Sequence, residues 1–179
     1  FSPWLKENSR IPRYLVKLMK RVDIVIVQSE AERKTVTEIV KDPSKIRRLP
    51  AGVGPEFSRG TGNLHTLRIS LGLPPDARLL LFAGRMTKKK GFYDVIEAFK
   101  SLSDDFVLLI LGRIDLGSEK YLAKLGERLK DRILVTGYIP DEDMPSYFGA
   151  VDLVLYPSSD DSFGMVFLEA MRSGKPVIG

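Results

Sequence analysis

Residues 79–83, Leu-Leu-Leu-Phe-Ala, and residues 106–111, Phe-Val-Leu-Leu-Ile-Leu, are apolar at every position. A strand with one wet face alternates apolar and polar side chains, so unbroken runs predict strands covered on both faces, as in a parallel sheet between helices. Three further runs extend the pattern: Ile133-Leu-Val-Thr136, Asp152-Leu-Val-Leu155 and Pro176-Val-Ile178. Between the runs, apolar residues recur at helical spacing: Phe92, Val95, Ile96 and Phe99, then Leu122, Leu125 and Leu129, then Met144, Tyr147 and Phe148. Each set predicts a helix laying one stripe on the sheet. Strand, helix, strand units with right-handed crossovers give an α/β fold: a Rossmann-like parallel sheet with helices on both faces.

The first 60 residues read differently. A basic amphipathic helix is expected near 11–21, a strand at 23–27 and a helix at 31–40, whose start is marked by Ser29 and Glu32 at capping-box spacing. A short strand at 46–49 leads into Pro50-Ala-Gly-Val-Gly-Pro55, and the polar, Gly-containing stretch 58–63 reads as a linker before a short helix at 64–71. The division expected is residues 1–60 as an interdomain segment and edge of a preceding lobe, and 61–179 as the Rossmann-like domain. The chain opens at Phe1 and stops one residue after a strand. Both ends are expected to continue in the natural protein.

Composition narrows the function classes. With 179 residues, 44% of them hydrophobic, the chain can bury a core. Its apolar runs fall far short of the roughly 20 residues that span a bilayer. The absence of Cys removes disulfides and thiolate metal sites and fits a reducing compartment, so a cytoplasmic location is expected. Over residues 1–60, 13 Lys and Arg face 7 Asp and Glu, so the net charge of +5 belongs to that segment. Nucleic-acid binding would rest on this charge alone, without interleaved aromatics or a motif, and is not expected.

Ligands of open α/β sheets bind beyond the carboxyl ends of the strands, here the loops starting at Gly84, Gly112, Gly137 and Pro157. The first, Gly84-Arg-Met-Thr-Lys-Lys-Lys-Gly91, carries Arg85 and Lys90 at the two ends of a turn. A guanidinium fork and an ammonium can neutralise oxygens on two phosphorus centres, although a solvated charge run would look the same. In the fourth loop Gly164 stands near a helix start, where the amides of Gly164, Met165 and Val166 are expected as open donors for a phosphate or sugar hydroxyl. Asp161 precedes that helix and Glu169 sits two turns inside it. A carboxylate within so apolar a helix needs a partner, which vicinal ribose hydroxyls or Arg172 would supply; for Asp161 a helix cap is the alternative. The loop Gly137-Tyr-Ile-Pro140 is placed to receive a nucleobase on Gly137, Tyr138 and Ile139.

The segments Phe82-Ala-Gly-Arg-Met86 with Lys90-Gly91, Val135-Thr-Gly-Tyr138, Tyr156-Pro-Ser158 and Asp161-Ser-Phe-Gly-Met-Val-Phe-Leu-Glu-Ala-Met171 resemble, in order and spacing, the retaining glycosyltransferases of the GT-B fold. The resemblance covers almost the whole chain and implies a truncated C-terminal, donor-binding lobe. It implies that Arg85 and Lys90 hold the leaving diphosphate, that Asp161 faces the donor sugar and that Glu169 holds the ribose. Gly84, Ser162, Phe163, Gly164, Met165 and Val166 complete the donor contacts. Asp161 is one methylene shorter than the family's usual Glu, and Ala51 and Gly54 stand where the family's interdomain turn has Asn and Asp.

The implied activity is hexosyl transfer, mannosyl or glucosyl, from a UDP-, GDP- or ADP-sugar, with retention and no obligatory metal or other cofactor. The acceptor, a sugar or lipid-linked sugar, would approach through the other lobe, so the fragment alone is expected to be inactive. A competing reading is a non-catalytic nucleotide-binding or interaction module whose basic helix 10–21, with Arg10, Arg13, Lys17, Lys20 and Arg21, touches anionic lipid at the cytoplasmic membrane face. Packing of Tyr14, Leu15 and Leu18 on a neighbouring lobe is the plainer role for that helix. His65, in the linker zone, has no expected role.

Overall fold

The computed structural model describes residues 13–58, 64–74, 76–159, 161 and 163–179. They divide into two compact units, one of residues up to 52 together with 160–165, the other of 53–159 together with 166–179. Ser162, Arg10 and linker residues 59–63 lie outside the described residues, as does the side chain of His65.

The first unit contains α1 (Arg13–Arg21), β1 (Val25–Val27), α2 (Glu30–Val40) and β2 (Ile46–Arg48). β1 and β2 pair in parallel, Val25 opposite Ile46. The expected capping box is present: Ser29 Oγ accepts from the Glu32 amide at 3.1 Å, and Glu32 Oε2 accepts from the Ser29 amide. Val27, Val36, Val40 and Ile46 form its core, with Met19 of α1 packed on it. On α1, Tyr14 and Leu18 are exposed, and Met19 makes the contact with this core.

The second unit begins with α3 (Leu64–Ser70) and continues as β3 (Arg78–Ala83), α4 (Phe92–Phe99), β4 (Phe106–Leu111), α5 (Leu116–Ala123), α6 (Glu127–Lys130), β5 (Ile133–Gly137), α7 (Met144–Ala150), β6 (Leu153–Leu155), α8 (Met165–Arg172) and β7 (Val177–Ile178). Its five strands lie in the order β5-β4-β3-β6-β7, all parallel. The central strand is the first in sequence, and the order reverses between β3 and β6, which is the switch point of a Rossmann-type sheet.

The unbroken apolar runs are sorted by strand geometry onto two faces. Leu79, Leu81, Val107 and Leu109 point to one side, under Phe148 of α7 and Ala170 of α8. Leu80, Phe82, Leu108 and Ile110 point to the other, under Phe92, Val95, Ile96 and Phe99 of α4. Burying each such side chain contributes about 1.5–3 kcal/mol. One expected helix differs. Leu122, Leu125 and Leu129 do pack in one cluster, but Leu122 is on α5, Leu129 on α6 and Leu125 in the turn between them, before Gly126, which caps the second helix. Among the described residues no helix is long and apolar enough to cross a membrane.

Candidate functional site

The carboxyl ends of β3, β4 and β5 each finish in a glycine of positive φ, Gly84, Gly112 and Gly137. At Gly112 the requirement is steric: φ is 132°, and a Cβ would stand 2.1 Å from the Gly84 carbonyl oxygen. The strand ends therefore approach each other closely, and the ladder continues through Gly112 N–H donating to Gly137 O at 2.7 Å.

Beyond Gly84 the chain alternates between buried and exposed. Met86 is fully buried and its carbonyl accepts from Ser118 Oγ, which pins the loop, while Arg85 is exposed. A 3-10 turn at Lys88–Lys90 ends on Gly91 in the left-handed region, φ 72°. A Cβ at Gly91 would lie 2.3 Å from the Pro157 carbonyl, and the Ser159 amide donates to Lys89 O at 3.0 Å. The loops after β3 and β6 are thus fastened together at the switch point. Lys90, half-buried there, donates to Tyr156 Oη at 3.0 Å.

A cleft of about 420 Å³ opens on the same edge. Gly84, Arg85, Gly112 and Arg113 line one side, and Tyr138, Ile139, Asp141 and Met144 the other. Its size suits a nucleotide-sized ligand. The Arg113 guanidinium lies 5.8 Å from the Tyr138 ring centroid. The Arg85 side chain makes no hydrogen bond or ion pair among the described residues.

The carboxylate of Glu169 on α8 also lacks a hydrogen bond or ion pair among the described residues, although the residue is only partly exposed. Burial pushes its carboxyl above the ordinary glutamate value, and the nearby charge of Asp141 pushes the same way. The fold therefore brings Glu169 within electrostatic reach of a residue that lines the cleft. A half-buried carboxylate with no donor of its own is set up to accept hydrogen bonds from a ligand.

One expectation is corrected. Gly164 is not an open donor, because its amide donates to Asp161 Oδ1 at 3.2 Å, closing the loop before α8. The Val166 side chain packs against the core under the sheet. Asp161, Phe163, Gly164 and Met165 fall in the first unit and Val166 and Glu169 in the second.

Arg113 and Asp141 were not legible as cleft residues. Arg113 had a signal: Gly-Arg follows β4 at 112–113 as it follows β3 at 84–85. Asp141 resembles a helix-start charge, but α7 begins only at Met144 and Asp143 is its cap, so Asp141 remains on the loop.

A family model described as glycosyl transferases group 1 matches residues 65–179. The chain belongs to this family. As a group 1 glycosyltransferase domain it is 29% identical over 174 residues to the 2-deoxystreptamine glucosyltransferase of Streptomyces kanamyceticus, covering 91% of this chain and 41% of that protein. It is 32% identical over 167 residues to a D-inositol 3-phosphate glycosyltransferase of Mycobacterium marinum, with 90% and 36% covered. The chain spans about two fifths of the length of these relatives. Among solved structures, sucrose-phosphate synthase from Thermosynechococcus elongatus matches with TM-score 0.76 and 26% identity over 92% of this chain and 42% of that one. The Anabaena protein HepE, solved with UDP-glucose, gives 0.75 and 25%, with 92% and 47% covered. The fold is that of one half of a GT-B glycosyltransferase.

Proposed function

We propose that this glycosyltransferase domain binds a nucleotide diphosphate sugar and that the whole protein transfers its hexosyl group to an acceptor hydroxyl with retention of configuration. The observation that carries this reading is the cleft at the carboxyl edge of the sheet, lined by Arg85, whose side chain has no hydrogen-bond or ion-pair partner among the described residues. In this reading Ile139 and Met144 offer an apolar surface to the base, with Tyr138 and Arg113 at its rim, and Glu169 accepts from the ribose hydroxyls. Arg85 and Lys90 lie along the diphosphate. As the glycosidic bond breaks, charge gathers on the leaving diphosphate, and two fixed cations stabilise it without solvent reorganisation. Because the protein supplies that charge itself, the reading assigns no role to a metal. Asp161 is assigned to the donor sugar on the family pattern.

UDP-sugars are the first donors to test, since HepE was solved with UDP-glucose. Isothermal titration of UDP, GDP and ADP into the chain is expected to show binding of at least one, weakened by Arg85→Ala. A chain that binds none of the three would sink the reading.

A further inference from the structure

We infer that Tyr156 is a positioning residue for Lys90: its hydroxyl holds the ammonium at the seam between β3 and β6, ready for the diphosphate. The inference rests on the reading of Lys90 as a diphosphate ligand. Tyr156 immediately follows β6 and is 3% exposed. Its amide donates to Ile178 O at 2.7 Å, and its ring meets Phe167 of α8 edge-on, centroids 5.5 Å apart. Cε2 also lies 3.8 Å from where a Gly84 side chain would begin. Tyr156 is therefore wedged between β7, α8 and the start of the Arg85 loop, and its ring has little freedom.

From that fixed ring the hydroxyl reaches Lys90 Nζ at 3.0 Å. The same nitrogen is 5.5 Å from the ring centroid. A nitrogen so near the oxygen and so far from the centroid lies beyond the C–O bond and beside the ring, so the hydroxyl, and not the π face, is what the ammonium meets. Packing alone would be served by Phe, and a buried hydroxyl is costly unless it is bonded. Lys90, by contrast, sits on a flexible four-carbon stem whose rotamer freedom opposes any single placement. A rigid acceptor removes part of that freedom before the ligand arrives, which is preorganisation of a cation that electrostatic stabilisation requires.

The test uses the full chain, with UDP, GDP and ADP each titrated beside its parent nucleoside. For the diphosphate that binds, Tyr156→Phe is expected to weaken affinity about five- to tenfold, the net scale of one ordinary hydrogen bond. Affinity for the nucleoside should stay within about twofold, since no phosphate is present to meet Lys90. In a Lys90→Ala background the second substitution should have no further effect, whereas a residue that only supports the fold would lower affinity in both backgrounds. Equal losses in both backgrounds, or no loss from Tyr156→Phe where Lys90→Ala weakens binding, overturns the inference and leaves the role of Lys90 standing. Unchanged diphosphate binding in Lys90→Ala overturns the role of Lys90 and the inference with it. Thermal unfolding of each variant shows that the titrations compare folded proteins.

Discussion

The two edges of the five-stranded sheet carry similar charges and use them differently. At the amino edge the charges are paired within the protein. Arg78 meets Asp105 at 3.3 Å, Arg128 binds Asp104, and Arg132 reaches Asp104 at 3.5 Å while its guanidinium lies 4.9 Å from the Phe99 centroid. Asp152 accepts from the Leu79 amide at 2.7 Å and faces Arg68 at 3.6 Å. At the carboxyl edge the side chains of Arg85 and Glu169 have no such partner among the described residues, and Arg113 lies 5.8 Å from the Tyr138 ring centroid. The amino edge closes the ends of the strands; the carboxyl edge leaves charges to be completed by something else. The position of a charged residue in the sequence does not separate these two uses, but the topology does, because in a parallel sheet only the carboxyl ends of the strands face the crevice.

The largest effect should come from the glycine that lets the carboxyl edge close up. Gly112→Ala puts a Cβ against the Gly84 carbonyl in a backbone conformation that L residues rarely adopt, and is expected to cost about 3 kcal/mol or more of stability in urea unfolding. Gly126→Ala, beside the amino edge, has nothing within 4 Å of the new Cβ and should change stability by less than about 0.5 kcal/mol. Equal costs at the two sites would mean that the crowding at Gly112 is not what shapes the edge.

Next in size is ligand affinity. Arg85→Ala and Lys90→Ala are each expected to weaken nucleoside diphosphate binding by about ten- to a hundredfold, as losing a charge-assisted contact to phosphate should. Both variants should unfold near the wild-type temperature, since the Arg85 side chain is exposed and Lys90 only half-buried. A loss of stability in place of affinity would make the carboxyl edge structural, like the other one.

Much of this architecture could be read from the chain, for reasons tied to particular residues. The runs at 79–83 and 106–111 lack polar positions because both faces of β3 and β4 are covered, so fold class followed from pattern. Ser29 and Glu32 announced a helix start because a capping box is entirely local. Gly126 hid a break in what looked like one stripe, because Leu122, Leu125 and Leu129 still reach the same cluster across it. The cleft was legible where a candidate lies in a loop that directly follows a strand, as at Arg85, which lines it. It was not where distant residues cooperate: Asp141 acts on Glu169 from 28 positions away, and Tyr156 meets Lys90 across 66.

Glu169→Gln tests the unpaired carboxylate with two readouts of opposite sign. The folded carboxyl keeps its proton to higher pH than the unfolded chain, so wild-type stability falls as pH rises from the ordinary value of 4.5 towards the raised one, and stays lower above it. The Gln variant should therefore be the more stable protein at neutral pH, by less than about 1 kcal/mol, with the gain vanishing below the ordinary value. Its affinity for the nucleoside should nevertheless drop about fivefold, since an amide accepts ribose hydroxyls less well than a carboxylate. A variant that lost stability and kept affinity would place Glu169 in a structural pair.

The smallest effect belongs to the amino edge, and the comparison depends on its being small. Arg128 hydrogen-bonds Asp104 and thereby holds that carboxyl below the ordinary aspartate value of 3.8. The sign is the reverse of Glu169: this pair contributes stability above the ordinary value, and the contribution is lost as pH falls through the depressed one. Both side chains are exposed, so screening and side-chain entropy offset most of the attraction. Arg128→Ala should lower the unfolding temperature slightly at pH 7, make no difference in strong acid, and leave nucleoside diphosphate affinity unchanged. If titration instead showed weaker ligand binding in this variant, unpaired charge would no longer distinguish the edge that binds from the edge that holds.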